Sequence, residues 1–440
     1  MRRVEGRHRT AAAGRQTVGA LVTITQPPAV DVARVPPLPS ADSPAGARAR
    51  GGLTVLVVSP TLHAGAADAG AVQLVRILAA AGHRIIVASS GGRLVEEVTS
   101  VGAKFIAMNL ASTNPVVMLR NAMAMARIVR DERCDVVHAH ARAPGWSAYL
   151  AARRSGVPFL ASSYKGFREQ NLFKRLYNSV MVRGDRVIAV SDQIADLIVE
   201  RYRTPWDRIS VIPTSIDVDR FDPEGVAQPR IDVVRSAWGV LPDTKVILVV
   251  GRMLRRKGHH VVISAVHRLK EMGLKDFLCV FVGEDQGRSR YTGELWDMVM
   301  ANGTTDVVRM AGPMEDLPAA LAAATVVVNA AIQAEGLQRA ILEAEAMARP
   351  VVVSDLGAGP DAVLAPPAVA EDRMTGLRFS AGDPVALAAA LVRLFSLPEA
   401  ERAAIGARGR AWVLANFNAA AAAEPTLRLY DEMAALRRRR

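Results

Sequence analysis

The sequence predicts an α/β chain built from two doubly wound, Rossmann-like domains that face each other across a cleft. Three observations predict it. Short Val-, Ile- and Leu-rich runs alternate with helical stretches from Leu53 to Ile212, the alternation lapses in a Pro- and Gly-bearing stretch, and it restarts at Lys245. That order is what parallel strands with crossover helices produce. Half of the 440 residues are hydrophobic but only 5% are aromatic, a mix that suits aliphatic strands covered on both faces. A chain of this length also has room for two to three domains of about 150 residues.

In order, Leu53–Ser59 reads as a buried strand, followed by a long loop from Ser59 to Gly70 and a helix over Ala71–Ala81 that Gly82 stops. Strands follow at Arg84–Ser89, Lys104–Met108, Asp135–His138, Pro158–Ser162, Val187–Val190 and Ile209–Ile212. Helices lie between them at Val95–Val101, Pro115–Glu132 and Gly145–Ser155. Pro223, Gly225, Pro229 and Pro242 mark residues 223–242 as a linker. The second unit has strands at Lys245–Val250, Leu278–Val282, Val307–Met310, Thr325–Asn329 and Pro350–Ser354. The expected division is a basic tail over 1–50, a first domain over 51–222, the linker, and a second domain over 243–414. Residues 415–440 return to the first domain.

Net charge is +12, but its placement argues against a nucleic-acid-binding body. An excess of five in residues 1–50 and four in Arg437–Arg440 leaves only three for everything between. Basic tails of this kind favour anionic surfaces, phospholipid or nucleic acid alike. Residues 1–50 are rich in Arg, Ala, Gly and Pro without periodicity and read as disordered. Cys134 and Cys279 stand alone, with no CxxC spacing, so neither a disulfide framework nor a zinc site is expected. No apolar run reaches about 18 residues, and Val18–Ile24 is too short and polar for a signal-peptide core. The expected location is the cytoplasm, at the inner face of its membrane if the tails dock there.

Two constellations carry chemistry. Gly251-Arg252-Met-Leu-Arg-Arg-Lys257-Gly258 directly follows a strand. Gly251 permits a sharp turn, and Arg252 and Lys257 put two cations at the cleft, suited to a diphosphate. Arg255 and Arg256 read as a solvated basic turn. The Lys-Gly order is not the GK[ST] of a Walker A loop. Glu335-Gly-Leu-Gln-Arg-Ala-Ile-Leu-Glu343 places two carboxylates eight residues apart. If helical throughout, they stand roughly 12 Å apart along the axis, about the span from a ribose across a diphosphate to a sugar. Glu345 falls on another face and reads as solvated.

In this order, the two constellations resemble the family 4 retaining glycosyltransferases, whose fold is the two-domain GT-B architecture. The resemblance runs from Leu53 to Met433 and includes Ser191, Val211-Ile-Pro213, Ile216-Asp-Val-Asp-Arg-Phe221, Val282-Gly283-Glu284, Ala311-Gly312 and Val351–Ala358. It implies a nucleotide-diphosphate sugar as donor substrate, no cofactor and no metal. It further implies a glycan or lipid-linked acceptor in surface-polysaccharide or lipopolysaccharide assembly. Arg252 and Lys257 would bind the diphosphate, Glu343 the ribose and Glu335 the transferred sugar. Gly312–Met314 would lie near the base, and Gly65 would let backbone approach the phosphate from the other domain. Gly251, Gly336, Leu337 and Gln338 complete the donor set, and Phe417–Met433 would be the helix that returns to the first domain. The family associates a His with the donor where this chain has Lys165, a cation without imidazole geometry. A non-catalytic protein therefore stays an alternative, as does an epimerase or phosphorylase of the same fold. Ala66 replaces a second loop glycine, and Leu337 and Gln338 replace an aromatic residue and a glycine.

Weaker signals read structurally. Asp217-Val-Asp219 matches the DxD metal string but sits at the domain end, where a turn or capping role fits better. His138 and His140 share a strand face without a third ligand; His140 and Arg142 are the acceptor-side candidates. Arg120, Arg127, Arg130 and Arg133, with Lys174, Arg175 and Arg183, would form a basic surface for an anionic membrane. A nicotinamide-dependent oxidoreductase is disfavoured, because no tight GxGxxG turn follows the first strand.

Overall fold

The computed structural model describes residues 52–63, 65–164, 171–285, 287 and 289–439. The readings made for residues 1–50, Lys165 and Arg440 lie outside the described residues. The first half runs β1 (Thr54–Val58), α1 (Ala66–Ala80), β2 (Arg84–Ser89), α2 (Val95–Ser100), β3 (Lys104–Ala107), α3 (Pro115–Asp131), β4 (Val136–Ala139), α4 (Arg142–Ser155), β5 (Phe159–Ser163), α5 (Leu172–Asn178), β6 (Arg186–Ala189), α6 (Asp192–Tyr202) and β7 (Ile209–Val211). Its seven strands are all parallel, in the order β3-β2-β1-β4-β5-β6-β7.

The second half runs α7 (Gln228–Trp238), β8 (Lys245–Val250), α8 (His259–Glu271), β9 (Phe277–Val282), α9 (Ser289–Ala301), β10 (Val308–Gly312), α10 (Leu317–Ala322), β11 (Val326–Asn329), α11 (Arg339–Ala346), β12 (Val351–Ser354), α12 (Gly359–Ala362), β13 (Gly376–Phe379), α13 (Pro384–Ser396), α14 (Glu399–Asn416) and α15 (Ala419–Arg438). Its six strands are again parallel, ordered β10-β9-β8-β11-β12-β13. Each sheet is buried on both faces, because alternate side chains of one strand enter different cores. Val246 and Leu248 pack with Leu342 and Val413, whereas Ile247 and Val249 pack with Val262 and Leu391. This explains why the strands read as unbroken apolar runs.

Local chemistry sets the helix ends. Asn114 accepts from the amides of Val116 and Val117 ahead of Pro115, Ser191 accepts from the Ile194 amide, and Gly156 ends α4 in the left-handed region. Three expectations need correction. α1 starts at Ala66, so the first loop is shorter than Ser59–Gly70. Gly70 lies inside that helix, where a side chain would meet the Tyr164 hydroxyl. α5 replaces a stretch with no expected element. Residues 223–242 are not an irregular linker. They hold α7, whose Val234 and Trp238 pack into the core of the second sheet with Val246 and Leu248. Pro229 sits in its first turn, where a missing amide costs nothing.

The chain passes to the second half near Ile216 and returns near Phe417, and the two crossings are joined by the Ile216 amide donating to the Phe417 carbonyl. α15 then packs on the first half: Leu429, Tyr430 and Met433 share a core with Val55 and Val57. The Tyr430 hydroxyl lies 2.8 Å from Nδ1 of His138.

Candidate functional site

In an open parallel sheet, ligands bind beyond the carboxyl ends of the strands where the strand order reverses. In the second sheet that point lies between β8 and β11, the strands after which the basic and acidic segments follow. Glycines bring the loops into close approach. A side chain at Gly283 would strike the Gly251 carbonyl at 2.0 Å, and one at Gly258 would strike the Ala330 carbonyl at 1.7 Å. Gly258 also has φ +71°, which an L side chain rarely adopts. The Met253 amide donates to the Glu284 carbonyl and the Ile332 amide to that of Arg256, which ties three loops together.

These contacts bring the two constellations to one point. Lys257 Nζ donates to Glu335 Oε2 at 2.5 Å and to Gln338 Oε1 at 2.9 Å. Arg256 Nε donates to Glu335 Oε1 at 2.6 Å. Asn329, at the end of β11, donates to the same Gln338 oxygen. Burial alone would raise the Glu335 carboxyl. Lys257 and Arg256 outweigh it and hold the group below the ordinary carboxylate value. Burial lowers the Lys257 ammonium, Glu335 opposes that, and Arg256 and Arg252 add to it. Arg252 is exposed on the same loop.

The acidic segment departs from the helical reading. α11 begins at Arg339, so Glu335 lies in the preceding loop and the helical spacing of roughly 12 Å does not apply. The Glu335 carbonyl instead accepts from the Ala358 amide, and Gly357 (φ +71°) lies against the Glu335 backbone, where a side chain would clash at 2.6 Å. Glu343 is on the helix and nearly buried, with Oε1 accepting from Arg339. Leu337 turns into the core. Gly312 ends β10 with φ +72°, its carbonyl accepting from the Gly283 amide, and Met314 packs against the core beside it.

From the first half, Gly65 (φ +129°) stands at the start of α1. The loop before it is held by Asp68, which accepts from the hydroxyls of Ser59 and Thr61 and the amide of His63. Gly336 meets the first half directly: a side chain there would lie 2.3 Å from the Tyr164 carbonyl. His140 is buried, its Nδ1 2.8 Å from the Tyr164 hydroxyl and its ring stacked on His138. Burial lowers His140 to about 3, so the ring is neutral. Arg142 opens α4. Asp217 accepts from the Arg220 amide in a turn, and no group of three metal-ligating side chains occurs among the described residues.

Two expectations are overturned here. Arg256 is not merely solvated, because it grips Glu335. Glu345 is fully buried between α11 and α14, where Gly409 makes room for it. Neither feature left a signal in spacing: the first depends on a loop fold, the second on a helix that packs on both sides.

Two all-parallel Rossmann-like sheets with a charged loop cluster at the strand ends of the second have the GT-B architecture. The model of Glycosyltransferase Family 4 matches residues 68–220 and that of Glycosyl transferases group 1 matches residues 244–396. The chain belongs to this glycosyltransferase family. A D-inositol 3-phosphate glycosyltransferase of Salinispora tropica is 29% identical over 70% of this chain and 65% of its own length, so the match spans slightly under two thirds of that relative. One from Actinosynnema mirum is 30% identical over 63% of this chain and 69% of its own. An Escherichia coli UDP-Gal:alpha-D-GlcNAc-diphosphoundecaprenol alpha-1,3-galactosyltransferase is 25% identical over 58% and 67%. Among solved structures, a glycosyltransferase from Rickettsia africae superimposes with a TM-score of 0.77 at 28% identity, covering 87% of this chain and 99% of that one. Anabaena HepE, solved with UDP and glucose, gives 0.74 over 86% and 100% at 17% identity, a likeness of fold.

Glu345 gives a pH prediction. Burial holds its carboxyl protonated well above the usual range, with Thr375 opposing only in part. The folded state therefore keeps a proton that the unfolded chain releases above about pH 4.5. This group's contribution falls as pH rises from there towards its folded value. Glu345→Gln removes that loss, so denaturant unfolding should show the variant gaining on the wild type between pH 5 and pH 8. A pH-independent difference would contradict the assignment.

Proposed function

We propose that the protein is a retaining glycosyltransferase that moves a hexosyl unit from a nucleotide-diphosphate sugar to a glycan or lipid-linked acceptor in cell-surface polysaccharide assembly. One observation carries the reading: Lys257 and Glu335, from loops after different strands, meet at the order-reversal point of the second sheet. Arg252 and Lys257 take the diphosphate, Glu335 a hydroxyl of the sugar, and Glu343 the ribose. Gly251, Gly312, Met314, Gly336 and Gln338 shape the donor site. Gly65 lets the start of α1 approach the phosphate from the other side.

The anomeric carbon–phosphate oxygen bond breaks, and the acceptor oxygen bonds to that carbon on the same face. The acceptor proton passes to the departing phosphate oxygen, so no protein base is needed. Charge growing on the diphosphate is met by fixed cations, which is where positioning lowers the barrier. The E. coli relative's lipid-linked acceptor supports the acceptor class.

The first half offers a surface for such an acceptor. Leu172 and Phe173 on α5 are 80% and 83% exposed beside Lys174 and Arg175. α3 exposes Val116, Leu119 and Met123 beside Arg120 and Arg127. The two helices flank one turn of α4, where Trp146 donates to the Tyr177 carbonyl and Ser147 to that of Met118. Exposed apolar groups among cations suit an anionic bilayer. Among the described residues no helix is long and apolar enough to cross a membrane.

Two outcomes follow. Thermal unfolding against a panel of nucleotide-diphosphate sugars should show one donor raising the midpoint, with affinity lost about tenfold or more in Lys257→Ala and in Glu343→Ala; no response to any donor would remove the reading. The protein should co-sediment with phosphatidylglycerol vesicles more than with neutral ones, and Leu172→Ser/Phe173→Ser should lose most of that binding. Equal sedimentation with both vesicle types would remove the docking surface.

A further inference from the structure

The proposed donor site contains one cation more than a diphosphate reading assigns. Arg256 and Lys257 are adjacent, yet they hold different oxygens of the same carboxylate. Arg256 Nε takes Oε1 and Lys257 Nζ takes Oε2. The Glu335 side chain is only 14% exposed. Arg252 acts electrostatically on Lys257, whereas Arg255 pairs with Glu294 on α9 and lies over the Tyr291 ring, and Arg339 pairs with Glu343. The segment after β12 meets the Glu335 backbone at Gly357 and Ala358.

A diphosphate carries at least twice the charge of a carboxylate. Attraction at short range in a partly desolvated site grows with charge, so the diphosphate competes well with the carboxylate for a cation. A donor diphosphate would therefore draw Lys257 away and release Oε2. A buried carboxylate that lost its only cation would be strongly destabilised and would take up a proton. Arg256 prevents this, because its hold is on the other oxygen and its carbonyl is pinned by the Ile332 amide.

We infer that Arg256 is a positioning residue that keeps Glu335 by Oε1 when Lys257 moves to the donor diphosphate, which leaves Oε2 to accept from a hydroxyl of the transferred sugar. This rests on the donor-site reading above and assigns a division of labour within it. In the free protein Lys257 and Glu335 neutralise each other; in the donor complex Arg256 takes over for Glu335.

The test follows the Glu335 carboxyl by ¹³C NMR, with its resonance assigned by its loss in Glu335→Gln. Titrations compare the wild type, Arg256→Met and Arg256→Lys, each free and saturated with UDP. The wild type should titrate below the ordinary carboxylate range in both states. Arg256→Met should do so when free but shift upward by about one pH unit or more with UDP bound, and Arg256→Lys should largely restore the wild-type value. If Glu335 stays low in UDP-bound Arg256→Met, Arg256 has no such role. If Arg256→Met no longer binds UDP, Arg256 is itself a phosphate ligand and the inference falls while the donor site stands. If the wild type does not bind UDP, the donor-site reading falls for uridine nucleotides and this inference falls with it.

Discussion

The carboxylate of Glu335, held between Arg256 and Lys257, is the interaction on which the rest of the site depends. Removing one partner of a buried ion pair costs about 3–5 kcal/mol, because the other charge is left without compensation. The two loops therefore cannot drift apart independently, and both cations are held at the strand-end cleft of the second sheet. Gln338 extends the cluster to Asn329 at the end of β11, so a strand of the central sheet fixes its base.

Backbone makes this clustering possible. The basic loop approaches the end of β11 only because Gly258 has no side chain, and it approaches the end of β9 only because Gly283 has none. The acidic loop is backed by Gly357 and touches the first half at Gly336. Glycines in four loops of the second sheet thus let its charged side chains reach one volume, with the first half meeting them at Gly336. Tyr164 joins this arrangement from the first half: its hydroxyl reaches His140, its ring edge packs on Gly70, and its carbonyl meets Gly336.

Much of this was legible in the sequence because strand composition and helix signals report local physics. Aliphatic runs marked nearly every strand to within a residue or two, and Pro115 at the start of α3 and Ser155 at the end of α4 were placed correctly, although α4 begins at Arg142 rather than Gly145. The helix in residues 223–242 was missed because Pro223, Gly225, Pro229 and Pro242 look like breakers, whereas Pro229 sits in the first turn of α7. The pairing of basic and acidic segments was expected from resemblance, but the partners of each atom were not. Whether Arg256 faces water or Glu335 is decided by a turn that ends in Gly258, and periodicity carries no information about it. Glu345 looked like a surface residue because a charged side chain usually is one. Only the packing of α14 against α11 reveals that it is enclosed.

The central claim is that Glu335 occupies Lys257 until a diphosphate replaces it. Calorimetric titration of UDP into the wild type, Lys257→Met, Glu335→Gln and the double variant tests this most directly. The account predicts that Glu335→Gln binds UDP more tightly than the wild type, because the competing anion is gone. It also predicts that Lys257→Met binds about tenfold or more weakly, and that the gain from Glu335→Gln vanishes once Lys257 is absent. Weaker UDP binding by Glu335→Gln, or effects of the two substitutions that simply add, would contradict it.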